Sequence, residues 1–146
     1  MQDAYVTAFY DIVKDAQEAY GYEVPEHLEQ YIVMLLAIHV ERIEFAPSTS
    51  FAEAYLSLKP PFTQNAKELG DACLFVTGVF PSFGHRKGLN KSYYSNIGRS
   101  SYNLVSDYLN GELFLDLSVH FDFLSDFIDL SIRTPAAKSL RNNLFR

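Results

Sequence analysis

The sequence predicts an all-α fold, a single-domain irregular bundle of four to five major helices. Three observations lead there. Apolar residues recur at three- and four-residue spacing through most of the chain, and glycine, proline and capping residues punctuate that period where helices would begin and end. No run of alternating residues competes with the helical period. With 146 residues, 48% of them hydrophobic and 15% aromatic, the chain can bury about two thirds of its unfolded surface in one core. Residues 1–133 form the predicted domain and 134–146 a basic C-terminal tail.

The first helix runs from Asp3 to Tyr20, with Tyr5, Val6, Phe9, Ile12, Val13 and Ala16 on one side and Asp11, Asp15 and Glu18 on the other. Gly21 suits its C-terminal cap. Pro25, with Glu26 and Glu29 behind it, opens a second helix reaching about Ile43, whose YIVMLLAI centre is apolar all round and therefore central in the bundle. APSTS breaks the pattern. Ser50 and Glu53 form a capping-box signature for a short helix, FAEAYLSL, stopped by Pro60-Pro61.

Phe62 to Phe80 reads as a third long helix containing Gly70 and Gly78, which at about 1 kcal/mol each in a helix interior imply a closely packed neighbour. Pro81 closes it. After a loop over residues 82–90, Asn90 or Ser92 caps a fourth helix to Leu109, with Tyr94, Ile97, Gly98, Ser101, Val105 and Tyr108 as its buried stripe. Asn110-Gly111 makes a turn. A fifth helix, Glu112 to Arg133, then turns Leu113, Leu117, Phe121, Leu124 and Ile128 inward, and Thr134-Pro135 ends it.

Charge is laid out in blocks within a net charge of −6. Residues 1–71 hold 12 acids and 4 bases, 72–106 hold 4 bases and no acid, 107–132 hold 6 acids and no base, and 133–146 hold 4 bases and no acid. The stretch SFGHRKGLNKSYYSNIGRSSY therefore stands out: His85, Arg86, Lys87 and Lys91 beside Tyr93 form the candidate binding surface for an anionic group, with phosphate also favoured by a helix start near Ser92. A structural alternative leaves the lysines solvated, fills the core with Phe83 and Tyr94, and pairs Arg99 with Asp71 or with an acid of the fifth helix. Asp71 and Arg99 each flank a helix glycine, so a buried structural ion pair between them is the expectation there.

The segments LGDACLFVTGVFP and YYSNIGRSSY, spanning Leu69 to Tyr102, carry a Leu-Gly-Asp, Leu-Phe, Gly, Phe-Pro, then Tyr-Tyr, Gly-Arg, Tyr pattern. That pattern resembles a group of uncharacterised bacterial all-helical proteins. The resemblance implies a bacterial origin and brings no activity or catalytic residue with it.

Several chemistries lack their residue patterns. Gly88 is followed by Leu89-Asn90 before Lys91-Ser92, so no phosphate-binding P-loop is present, and Ser82 in FPSFG has neither the first glycine nor the preceding strand of a nucleophile elbow. His120 with Asp116, Asp122, Asp126 and Asp129 lacks the Glu-x-x-His units of bundle metal sites and reads as a solvated acidic face. His39, near Glu41 and Glu44, suits a helix C-terminus. No metal, cofactor or catalytic residue is assigned. The helix after the loop has only Lys91 and Arg99 as bases, which argues against sequence-specific duplex DNA binding. Cys73, alone in an apolar run, is a buried small hydrophobe, and with an acidic N-terminus and no apolar run long enough for a bilayer it points to a cytoplasmic protein.

Two functions follow from these readings. The first is a non-catalytic interaction or regulatory module, homo-oligomeric because 22 Phe and Tyr exceed one core, using loop 82–94 to bind an acidic protein or anionic ligand. The second is a small-molecule or nucleotide-binding domain, with enzyme activity left open, whose pocket lies between the third and fourth helices.

Overall fold

The computed structural model describes residues 2–42, 46–47, 49–135 and 137–138. Among them every regular element is helical. In order these are α1 (Gln2–Tyr20), α2 (Glu26–His39), α3 (Phe51–Leu56), α4 (Gln64–Val79), a 3-10 turn (His85–Lys87), α5 (Lys91–Val105), α6 (Gly111–Val119) and α7 (Phe121–Ser131). The short helix opens as its capping residues require, with the Ser50 hydroxyl accepting from the Glu53 amide at 3.0 Å. Asn90 caps α5 through the Tyr93 amide at 3.2 Å, and Asn110 caps α6 through the Leu113 amide at 3.2 Å.

One correction to the expected element list is physical. The fifth helix is two helices, because His120 leaves the helical conformation (φ −97°, ψ 16°) while its amide bonds to Asp116 and its carbonyl accepts from Leu124. The inward spacing survives the break, with Leu117, Phe121, Leu124 and Ile128 all buried, so the sequence period alone could not reveal it. The break also turns Phe114 and Phe127 into the core, leaving Leu115, Val119 and Phe123 exposed along this side. Thr134 and Ala137, at the start of the expected tail, are buried; residues 139–146 of that tail lie outside the described residues, as do Ile43 and Glu44.

The core is one continuous cluster fed by every helix, and α4 lies at its centre with twelve buried residues from Ala66 to Val79. Its two glycines serve different neighbours. A Cβ on Gly70 would stand 2.7 Å from the Tyr102 ring of α5, whereas one on Gly78 would stand 2.7 Å from Ile128 of α7. Gly98 returns the contact from α5, where a Cβ would meet the Phe121 ring at 2.5 Å and the Cys73 Cβ at 2.8 Å. These contacts define an antiparallel α4–α5 register of residue 70 on 102 and 73 on 98. The two helices are packed shut.

Candidate functional site

The α4–α5 register decides what happens to the expected ion pair, and it is a correction. Asp71 does not meet Arg99. Its neighbour on α5 is Tyr102, whose hydroxyl donates to Asp71 Oδ1 at 2.7 Å, while Tyr31 of α2 donates to the same oxygen at 2.6 Å and Lys67 Nζ reaches Oδ2 at 3.1 Å. Arg99 lies on the outer side of α5, where it bonds to Asp122 of α7 at 2.9 Å and to Asn96 at 2.6 Å. The buried site is therefore a Tyr31–Asp71–Tyr102 junction joining α2, α4 and α5, and Tyr31 was not singled out from sequence. Burial, followed by the neighbouring Asp71 charge, holds the phenol pKa of both tyrosines above its ordinary value, so they remain donors.

Asp71 also opens on one side to a cavity of about 290 Å3 between α2 and α4, lined by Met34, Ile38, His39, Arg42, Lys67 and Glu68 among others. His39 is not a helix-end cation. It is buried, stacks on Phe75 with ring centroids 5.0 Å apart, and bonds through Nδ1 to the Leu35 carbonyl at 2.9 Å. A carbonyl can only accept, so Nδ1 carries the proton, and burial lowers the pKa and favours the neutral ring. The carboxylate in this cavity is already bonded by two hydroxyls and an ammonium.

The loop builds a different place. Phe80-Pro81 ends α4, and two successive turns, Phe83 N–H to Phe80 O at 2.8 Å and His85 N–H to Ser82 O at 3.1 Å, lead into the 3-10 turn. Gly84 and Gly88 flank that turn with φ of +83° and +75°, the left-handed region that side chains disfavour. At Gly84 the requirement is doubled, because a Cβ would stand 2.2 Å from the Tyr94 hydroxyl. His85, Arg86 and Lys87 are thus held exposed on a closed turn, with the Leu89 amide bonding back to Gly84 O at 3.1 Å.

Against this turn lies the chain entering α3. Together they enclose a cavity of about 450 Å3 whose lining includes Pro47, Thr49, Phe51, Phe83, Arg86 and Tyr94, with His85, Lys87, Leu89 and Tyr93 completing its sides. Phe51, Phe83 and Tyr94 form a mutual edge-to-face cluster, with centroids 5.0 to 6.1 Å apart, and Tyr93 joins it edge-on to Tyr94 at 4.9 Å. Among the described residues no aspartate or glutamate lines the cavity, and neither Arg86 nor Lys87 forms an ion pair. The wall formed by residues 46–47 and 49–51 was read from sequence only as a break and a cap; the aromatic pairing across it has no signal in local spacing.

Of the five loop residues expected to bind, His85, Arg86, Lys87 and Tyr93 converge here. Lys91 does not, and this is the second correction: it is the first residue of α5, and its ammonium bonds to Asp126 of α7. Lys91–Asp126 and Arg99–Asp122 form two rungs between the basic helix and the acidic one. Both are partly exposed, so Arg99→Ala is expected to cost at most about 1 kcal/mol in urea denaturation. A buried pair with Asp71 would have cost several times more.

Among the described residues no helix is long and apolar enough to cross a membrane, and no group of three His, Cys, Asp or Glu is placed to hold a metal ion. Comparison of the chain with protein-family models, with curated proteins and with solved structures finds no match. The geometry of its own residues is therefore what bears on function.

Proposed function

We propose that this helical domain is a non-catalytic recognition module that captures an anionic group at the cavity formed by loop 82–94 and the entry to α3. The single observation carrying this reading is the combination of an aromatic cavity with Arg86 and Lys87 at its side and no acid among the described residues of its lining. Lys14, Lys67, Lys91, Arg99 and Arg133 are bonded to carboxylates, whereas Arg86 and Lys87, like Arg42, Lys59 and Lys138, have no carboxylate partner among the described residues, and this pair is exposed and held on a turn. A cationic site in an acidic protein attracts an anion locally while the net charge of −6 repels polyanions at a distance, which favours a compact anionic group over an extended one. A pocket between α4 and α5 is disfavoured by the close packing of Gly98 on Cys73.

The test uses inorganic phosphate followed by NMR of backbone amides. Shifts should concentrate on residues 83–89, weaken as salt rises, and vanish in Arg86→Glu/Lys87→Glu with an unchanged melting temperature, since exposed charges contribute little to stability. A double variant that still responds to phosphate at those amides would contradict the reading.

A further inference from the structure

Resting on that reading, we propose that the ligand of the loop cavity is a small aromatic anion: a planar ring system lying against Phe51, Phe83 and Tyr94 and bearing a phosphate or carboxylate group at Arg86 and Lys87. Volume comes first. About 450 Å3 lies within the roughly 300–1,000 Å3 of small-molecule sites and far exceeds what a bare inorganic anion fills. The interior is furnished by rings, and those rings are already fixed by their edge-to-face contacts, so a ligand would not have to order them.

The polar groups point the same way. Tyr94 is buried as a residue but its hydroxyl oxygen keeps some exposure and has no hydrogen-bond partner among the described residues, and Gly84 at the cavity wall is the residue that makes room for it. Tyr93 accepts the Ala52 amide at 3.0 Å, which uses an oxygen lone pair and leaves its O–H proton directed at no described acceptor. Two tyrosines with hydroxyl protons to give, an arginine and a lysine therefore line a space with no carboxylate among its described residues. Such a set recognises an acceptor-rich anion and discriminates against a cation. An apolar molecule without charge would leave the donors unused, and a charged one without a ring would leave the aromatic cluster unused.

Isothermal titration of the full chain with phenyl phosphate, phenylacetate, inorganic phosphate and benzyl alcohol separates these contributions. Phenyl phosphate should bind about tenfold more tightly than inorganic phosphate, the gain of one stacked ring. Benzyl alcohol should bind more weakly than either aromatic anion, and the order of phenyl phosphate and phenylacetate identifies the anionic group. Tyr94→Phe, which keeps the ring, should weaken the better aromatic anion by about tenfold, as expected for a hydrogen bond to a charged group, at an unchanged melting temperature. Ser82→Trp, at an exposed position of the wall, should block it. Phenyl phosphate binding no more tightly than inorganic phosphate, or full binding by Ser82→Trp, overturns the aromatic ligand while leaving anion capture standing. Failure of every anion to bind overturns both.

Discussion

Asp71→Leu is expected to destabilise the protein by about 3 kcal/mol, the scale for removing one side of a buried charged network. Leucine is bulkier than aspartate, so some overpacking adds to the cost, but the partners set its scale. Tyr102, at 0% exposure, would keep a hydroxyl with no acceptor, Lys67 would lose its carboxylate, and Tyr31 would turn its hydroxyl toward the α2–α4 cavity. Tyr102→Phe removes one donor and leaves Asp71 bonded by the other two, so it should cost only about 1 kcal/mol. Urea denaturation of the two variants checks the ordering. An Asp71→Leu protein with the wild-type midpoint would mean that the three-helix junction contributes nothing to stability.

The second large effect is steric. Gly98→Ala should destabilise by about 2 kcal/mol, although alanine is favoured over glycine in a helix interior by roughly 1 kcal/mol, because overpacking a closed core outweighs propensity. The added methyl would meet the Phe121 ring at 2.5 Å and Cys73 Cβ at 2.8 Å, and both neighbours are at 0% exposure with nowhere to retreat. Phe121→Leu in the same background should recover part of the loss, since it removes the nearer obstacle, and a double-mutant cycle measures the coupling. Additive effects of the two substitutions would contradict direct contact at this crossing.

Helices with a local period and a local stop were legible from the chain. The α1, α2, α3, α4 and α5 segments follow Gly21, Pro25, Ser50, Pro81 and Asn90, each of which acts on backbone geometry or capping within a few residues. The break at His120 was not legible, since neither glycine nor proline marks it and the buried residues keep helical spacing across it. Glycine beside charge correctly indicated close helix approach at Gly70 and Gly98, but not the pairing. Rotation by one residue turns a side chain by about 100° on a helix, and that separates Arg99, facing Asp122, from Gly98, facing Cys73.

The candidate site divides along the same line. His85, Arg86, Lys87 and Tyr93 were legible because charge and turn residues are local properties of the stretch. The other wall was not. Phe51 meets Phe83 and Tyr94 only through the tertiary packing of α3 against the loop, and Lys91 is drawn to Asp126, 35 residues away. Sequence blocks of charge announced that some base would find an acid on the later helices; the register of α5 on α7 chose Lys91 and Arg99 and left Arg86 and Lys87 facing the cavity.

The proposed recognition site is the loop cavity and not the cavity beside Asp71. A two-dimensional NMR titration of the amide resonances with phenyl phosphate tests it most directly. The expected result is a set of saturating shifts confined to Phe51, residues 83–89 and the Tyr93–Tyr94 pair. Shifts centred instead on Tyr31, His39 and Lys67, or an unperturbed spectrum at saturating ligand, would contradict it.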